Sequence, residues 1–236
     1  MKLGVMQPYF FPYIGYWQLL NAVDKYVIFD DVNYIKRGWV NRNRIISQGC
    51  VKYFNIYLKA ASQNKRINEI SINDEGLNDN NVRIIEAAYH RAPYFNEAFP
   101  VIKMVLNQDE KNLAKYNGYL IKTICNYLGI ETELSFSSEI DKEAELKGQE
   151  KIMAICKSLS ATDYINAIGG QELYDSKFFY MEGISLHFLK TNEIRYKQFD
   201  EHFYENLSII DVMMFNSKQK IRELLEDYEL LEGSHV

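Results

Sequence analysis

Three clusters near the amino terminus hold the side chains best suited to chemistry. The first is Gln7-Pro8-Tyr9-Phe10-Phe11-Pro12-Tyr13-Ile14-Gly15-Tyr16, which joins an apolar run, Lys2 to Met6, to a stretch with helical spacing. A loop between a strand and a helix offers free N–H groups and a positive dipole end to an anion. Gly15 would let a ligand approach the backbone closely. Gln7, Tyr9, Tyr13 and Tyr16 would supply an amide, rings and hydroxyls to a sugar or nucleotide. The competing explanation is a Pro-aromatic loop that only caps a sheet.

The second cluster is Asp30-Asp31, directly after the run Lys25 to Phe29. Paired carboxylates at a strand end could orient an amine, accept a proton or hold a divalent ion. They could also be strand-end turn residues. The third is Lys36-Arg37-Gly38-Trp39-Val40-Asn41-Arg42-Asn43-Arg44. Arginine matches phosphate oxygens in a bidentate way, and an indole stacks on a base or sugar ring. Strand alternation would put Trp39, Asn41 and Asn43 on one face and Arg42 and Arg44 on the other. Protection of a sheet edge by exposed cations is the plainer alternative. A weaker ligand loop is Asn166 with Gly169-Gly170.

Other chemistries lack their residues. His90, His187, His202 and His235 never fall at metal-ligand spacing, and there is no P-loop, GxGxxG or GxSxG. No metal and no cofactor are therefore expected. Cys50, Cys125 and Cys156 are odd in number and far apart, which suits reduced thiols in the cytoplasm.

These clusters need strands and helices to position them. Lys2–Met6, a helix over Ile14–Val23, and Lys25–Phe29 form a βαβ unit with a parallel pair. Runs Trp39–Ile46 and Val51–Leu58 flank Ser47-Gln48-Gly49 as a hairpin. Ala60–Asn81 reads as a loop with one short strand over Ile67–Ile72. Helical stripes then follow over Asn81–Tyr89, Tyr94–Asn107 and Leu113–Tyr127, with a break at Pro93 and a stop at Gly129. Strands are expected over Glu133–Phe136, Asp163–Asn166 and Ile184–Leu189, the last clear one. Helices are expected over Gly148–Leu159, Ile209–Phe215 and Lys218–Tyr228, with Ser208 as an N-cap. This alternation predicts an α/β fold: a mainly parallel sheet with helices on both faces, a β-hairpin, and a helical insert over 79–128 within a single domain, 1–236.

The chain has 236 residues and a net charge of −5, which argues against DNA as a partner. No apolar run reaches the roughly 20 residues of a spanning helix. The 18 tyrosines suit either a ligand cleft or a contact in a homodimer.

The run QPYFFPYIGYWQLL with DKYVIFDDVNYIKRGWVNRNRI resembles the WbqC-like family of bacteria. The resemblance continues through Ala92–Phe95, Leu128–Ile130, Ser137-Ser138, YINAIGGQELYD from Tyr164, YKQF from Tyr196 and LSIIDVMMFN from Leu207. It implies a place in O-antigen or other surface-polysaccharide (lipopolysaccharide) biosynthesis. It also implies aminoacyl (glycyl) or related N-acyl transfer to an amino sugar. The positions it points to are Gln7, Tyr9, Pro12, Tyr13, Gly15, Asp30, Asp31, Lys36, Arg37, Trp39, Asn41, Arg42 and Asn43. A more distant resemblance links Pro12-Tyr13-Ile14-Gly15-Tyr16 to the HxGH start of nucleotidylyltransferases, with both histidines replaced by tyrosine. That implies a fold of this type without the residues that stabilise a transferring phosphate.

Three functions follow as expectations. The first is an N-acyltransferase acting on a nucleotide-linked amino sugar, its donor a carrier protein, aminoacyl-tRNA or acyl-CoA. In it Lys36, Arg37 and Arg42 hold the diphosphate, Asp30 or Asp31 takes the amine proton, and Tyr13 lies beside the reacting group. The others are a degenerate nucleotidylyltransferase and a non-catalytic binding subunit of polysaccharide assembly.

Overall fold

The computed structural model describes residues 1–73 and 77–233. Residues 74–76, in the expected Asn-rich loop, and the tail 234–236 with His235 lie outside it. The element order is β1 (Lys2–Met6), α1 (Ile14–Ala22), β2 (Lys25–Ile28), β3 (Arg42–Ser47), β4 (Cys50–Asn55), β5 (Leu58–Lys59) and β6 (Ser71–Ile72). Then come α2 (Leu77–Tyr89), α3 (Phe95–Leu106), α4 (Leu113–Leu128), β7 (Glu133–Phe136), α5 (Gly148–Ser158), β8 (Asp163–Ala167) and α6 (Ser176–Met181). β9 (Ser185–Thr191), α7 (Ile209–Phe215), α8 (Lys218–Glu226) and β10 (Tyr228–Glu232) complete it.

The main sheet has six strands in the order β10-β9-β8-β1-β2-β7. Every pairing is parallel except the antiparallel β10–β9 edge. Side chains alternate across it as period-2 geometry requires. Leu3, Val5 and Val27 join α5 and Phe179 in one core, while Tyr26 and Ile28 join α1, α4 and α7 in the other. Helices therefore cover both faces, as the sequence pattern predicts. The chain winds from β1 to β2 and β7, then returns to the far side of β1 with β8. The carboxyl ends of β1 and β8 thus form a topological switch point, where a crevice opens in folds of this kind.

Five elements differ from expectation. The strand foreseen from Trp39 begins only at Arg42, because residues 36–41 make turns and bends and Arg37 takes φ 61°. The hairpin closes through Gln48-Gly49, both left-handed at φ 56° and 71°, the signature of a tight two-residue turn. Within Ile67–Ile72 only Ser71–Ile72 is strand, the first part being a 3₁₀ turn. Tyr228, expected to end a helix, instead opens strand β10 over Tyr228–Glu232, since its register against β9 supplies hydrogen bonds that local periodicity cannot reveal. Helix α6 was also unforeseen.

Candidate functional site

The strand-end loop after β1 is fixed by donors aimed at its carbonyl oxygens. Asn117 on α4 donates to Pro8 O at 2.8 Å and to Val40 O at 2.7 Å. Asn43 on β3 donates to Phe10 O and Phe11 O at 2.9 and 2.8 Å. Ser208 Oγ donates to Phe11 O, and the Trp17 indole to Pro12 O. Phe11 itself is held at φ 43°, a left-handed conformation that a non-glycine residue adopts only when its surroundings impose it. Phe10, Phe11 and Tyr16 are buried, so the aromatic loop is largely core.

Two tyrosines escape that packing. Tyr9 and Tyr13 face a cavity of about 580 Å³ at the β1–β8 switch point, with neither hydroxyl hydrogen-bonded to any described residue. Gln7, Trp39, Asn43 and Arg44 line the same cavity, and Asn166, Gly169, Gly170 and Tyr174 close it from the β8 side. Burial pushes up the pKa of both Tyr9 and Tyr13, and their mutual proximity adds to it for Tyr9. Both stay phenols at neutral pH and act as hydrogen-bond donors. Asn166 Nδ2 lies 2.9 Å from the hydroxyls of Tyr164 and Tyr174, which are 3.1 Å apart. A Cβ at Gly170 would come within 3.2 Å of the Asn166 amide, a tight contact that would press on its hydrogen bonds to the two tyrosines.

Arg44 is the only charged side chain lining the cavity among the described residues. Its Nη2 donates to Asn206 O at 3.0 Å, its Nε is buried without an acceptor, and its guanidinium lies 5.6 Å from the Trp39 ring centre. The expected alternation therefore fails: Trp39 sits with Arg42 and Arg44, not opposite them. The cause is the late start of β3.

Several expected contacts point elsewhere. Asp30 is buried, accepting from Ser138 N and Oγ at 2.9 and 2.6 Å and from Asn68 Nδ2 at 3.2 Å. Asp31 is paired with Lys142 and Lys151 at 3.1 and 2.9 Å. Burial alone would push the Asp31 pKa up, but its contacts with Lys151 and Lys142 outweigh it and hold it below the ordinary value. Neither aspartate lines the cavity. The Tyr16 hydroxyl donates to Gln7 O at 3.1 Å, inside the core. Gly15 makes room for the protein rather than a ligand, since a Cβ would come within 2.5 Å of the Tyr13 ring and 2.6 Å of Thr191 Oγ1. Asn41 is spent on Tyr34 and Ile56, and Arg42 on Gly38 O and Arg37 O. Lys36 and Arg37 are exposed beyond the cavity.

Sequence reasoning missed Phe29, Ile35, Leu173, Tyr174 and Asn206 as cavity residues. Only Asn166 with Gly169-Gly170 signalled the β8 side. No group of three or more His, Cys, Asp or Glu able to hold a metal occurs among the described residues. No helix among them is long and apolar enough to cross a membrane.

Fold and site define a doubly wound α/β protein with a cavity at the strand ends. The chain belongs to the WbqC-like protein family, whose profile matches residues 7–223. It is 29% identical over 218 residues to the uncharacterized protein Rv1507c of Mycobacterium tuberculosis (strain ATCC 25618 / H37Rv), covering 91% of this chain and 93% of the relative. No solved structure matches the chain at a significant level.

Proposed function

We propose that the chain binds a nucleotide-linked amino sugar and transfers an acyl group, aminoacyl in the simplest case, to its nitrogen during surface-polysaccharide synthesis. The observation that carries this reading is the cavity itself. One arginine meets an anion, while Tyr9, Tyr13, Gln7 and the Asn166–Tyr174 pair meet hydroxyls and a carbonyl. In the reaction the sugar nitrogen attacks the acyl carbonyl, the donor's thioester or ester bond breaks, and the departing thiolate or alkoxide takes the proton that the nitrogen releases. The Tyr9 and Tyr13 phenols are placed to donate to the oxyanion that develops on the carbonyl oxygen.

That no carboxylate lines the cavity among the described residues supports this chemistry. A carboxylate would hold the sugar amine as an ammonium, which is no nucleophile. Beside Arg44 and the apolar surface of Met6 and Phe29, the neutral amine is favoured. Nucleotidyl transfer is less well supported, because Tyr16, one of the two positions that would need a phosphate-stabilising group, is buried in the core. The test is to offer nucleotide-linked amino sugars together with acyl-CoA, acyl-carrier protein and aminoacyl-tRNA, and to follow products by mass. An acylated sugar is expected. Binding without any acylated product would leave a non-catalytic sugar-binding role, and neither binding nor product would end the reading.

A further inference from the structure

The hydroxyls of Tyr164 and Tyr174 and the amide of Asn166 form a closed triangle with a fixed order of hydrogens. Asn166 Oδ1 accepts from Ala167 N at 2.7 Å, which fixes the amide with Nδ2 toward the tyrosines. The two Nδ2 hydrogens then go to the two hydroxyl oxygens, each at 2.9 Å. Tyr164 is fully buried, and the one acceptor its own hydrogen meets among the described residues is the Tyr174 oxygen, at 3.1 Å. Both acceptor positions of the Tyr174 oxygen are therefore filled, one by Asn166 and one by Tyr164. What remains is the Tyr174 hydrogen, which has no acceptor among the described residues and sits on a side chain that lines the cavity. Tyr174 differs here from Tyr9 and Tyr13, whose oxygens are free to accept as well as to donate. Burial raises the Tyr174 pKa, the hydrogen bonds from Tyr164 and Asn166 work against that, and the group stays a phenol at neutral pH.

We propose that Tyr174 is an obligate hydrogen-bond donor to the ligand, held in that sense by Tyr164 and Asn166, and that the atom it reads is a phosphate oxygen. A hydroxyl that can only donate rejects N–H and ammonium groups and takes an oxygen with a free lone pair. Arg44 Nε, which also can only donate, is likewise without an acceptor. A phosphate or diphosphate offers charged, hydrogen-free oxygens to both, and hydrogen bonds to such oxygens are the stronger kind. The two hydrogen bonds entering the Tyr174 oxygen polarise its O–H further. The inference rests on the proposed function in taking the ligand to carry a phosphate, and it sharpens that reading. The β8 wall joins Arg44 in meeting the anion, and hydroxyls and carbonyl are left to the residues after β1.

The experiment is calorimetric titration of the full chain with inorganic pyrophosphate, each variant first checked for folding by circular dichroism. Tyr174→Phe keeps the ring and removes the donor, and is expected to weaken binding by roughly tenfold or more. Tyr164→Phe removes a hydroxyl from the same triangle but leaves the Tyr174 hydrogen to the ligand, and is expected to bind within about threefold of wild type. Its thermal stability should fall all the same, since the Asn166 amide loses a buried acceptor. A purely structural triangle predicts that the two variants lose affinity alike, and that result would overturn the proposal. Unchanged affinity in Tyr174→Phe overturns it too, as does wild-type protein that ignores pyrophosphate. Should either variant fail to fold, NMR of the wild-type protein decides. Pyrophosphate should bring a second tyrosine hydroxyl proton near the Asn166 amide into slow exchange, and no change there overturns the proposal. Failure of the acyl-transfer reading would appear separately, as Tyr174-dependent pyrophosphate binding without any acylated product.

Discussion

The ends of β1 and β2 lie side by side in the sheet, and both run into polar residues, yet they use them in opposite ways. After β1 the polar side chains of Gln7, Tyr9 and Tyr13 face a cavity and make no hydrogen bond to the described residues. After β2 both carboxylates are turned inward: Asp30 is held by Ser138 and Asn68, and Asp31 by two lysines. Residue type alone favours the aspartates as reactive groups. Partner count favours the tyrosines, because a polar group already satisfied by its own fold has little left for a ligand.

The sharpest way to break this contrast is to treat the aspartates as dispensable. Asp31→Ala leaves two buried lysines uncompensated and should cost about 3–5 kcal/mol of stability, read by urea unfolding. Asp31→Asn should cost less, since its side-chain oxygen still accepts from them. Gly15→Ala is next. Its Cβ would collide with the Tyr13 ring and Thr191, and overpacking of this kind costs about 1–3 kcal/mol. A Gly15→Ala protein of unchanged stability would return that glycine to the ligand.

Tyr9→Phe and Tyr13→Phe address the other half of the contrast. Each should leave stability within about 1 kcal/mol, because the hydroxyl it removes has no protein partner. Each should lower the rate of acyl transfer about a hundredfold if the phenol donates to the oxyanion.

The smallest effect is the pH dependence of folding, in which two buried aspartates differ in sign. The folded pKa of Asp31 lies below its unfolded value, so its stabilisation is present above the ordinary carboxylate range and is lost as pH falls through the folded value. Asp211 accepts hydrogen bonds from Tyr89, Tyr196 and Gln198, all neutral, and burial raises its pKa. Its contribution is present below the ordinary value of 3.8 and is lost as pH rises through the raised one. Urea midpoints measured from acid to neutral pH should therefore fall less steeply toward acid in Asp31→Asn. In Asp211→Asn they should gain on the wild type as pH rises.

The parallel sheet, its covering helices and the hairpin were legible because their signals are local: apolar runs at strand ends, a 3.6-residue stripe, a glycine stop at Gly129. β10 was not, because Tyr228–Glu232 becomes strand only through its pairing with β9. The site was half legible. Gln7, Tyr9, Tyr13, Trp39, Asn43, Asn166 and Gly169 do meet at one cavity, since the ends of β1 and β8 must be neighbours at a switch point. The cations were misplaced because Arg42 and Arg44 share one face of β3 and only the fold shows that Arg42 turns back onto Gly38 O and Arg37 O, leaving Arg44 to the cavity. The partners that turn Asp30 and Asp31 inward, Ser138, Lys142 and Lys151, lie more than a hundred residues away in sequence.

The account stands most directly on one titration. A nucleotide-linked amino sugar accepted in the transfer assay is titrated into Arg44→Met and Asp30→Asn side by side. Arg44→Met should bind it at least tenfold more weakly than the wild type, having lost a charge-assisted contact. Asp30→Asn should bind within about twofold of wild type even where its stability is lower. The reverse pattern, with Asp30→Asn silent toward the ligand and Arg44→Met unaffected, would contradict the placement of the site between β1 and β8.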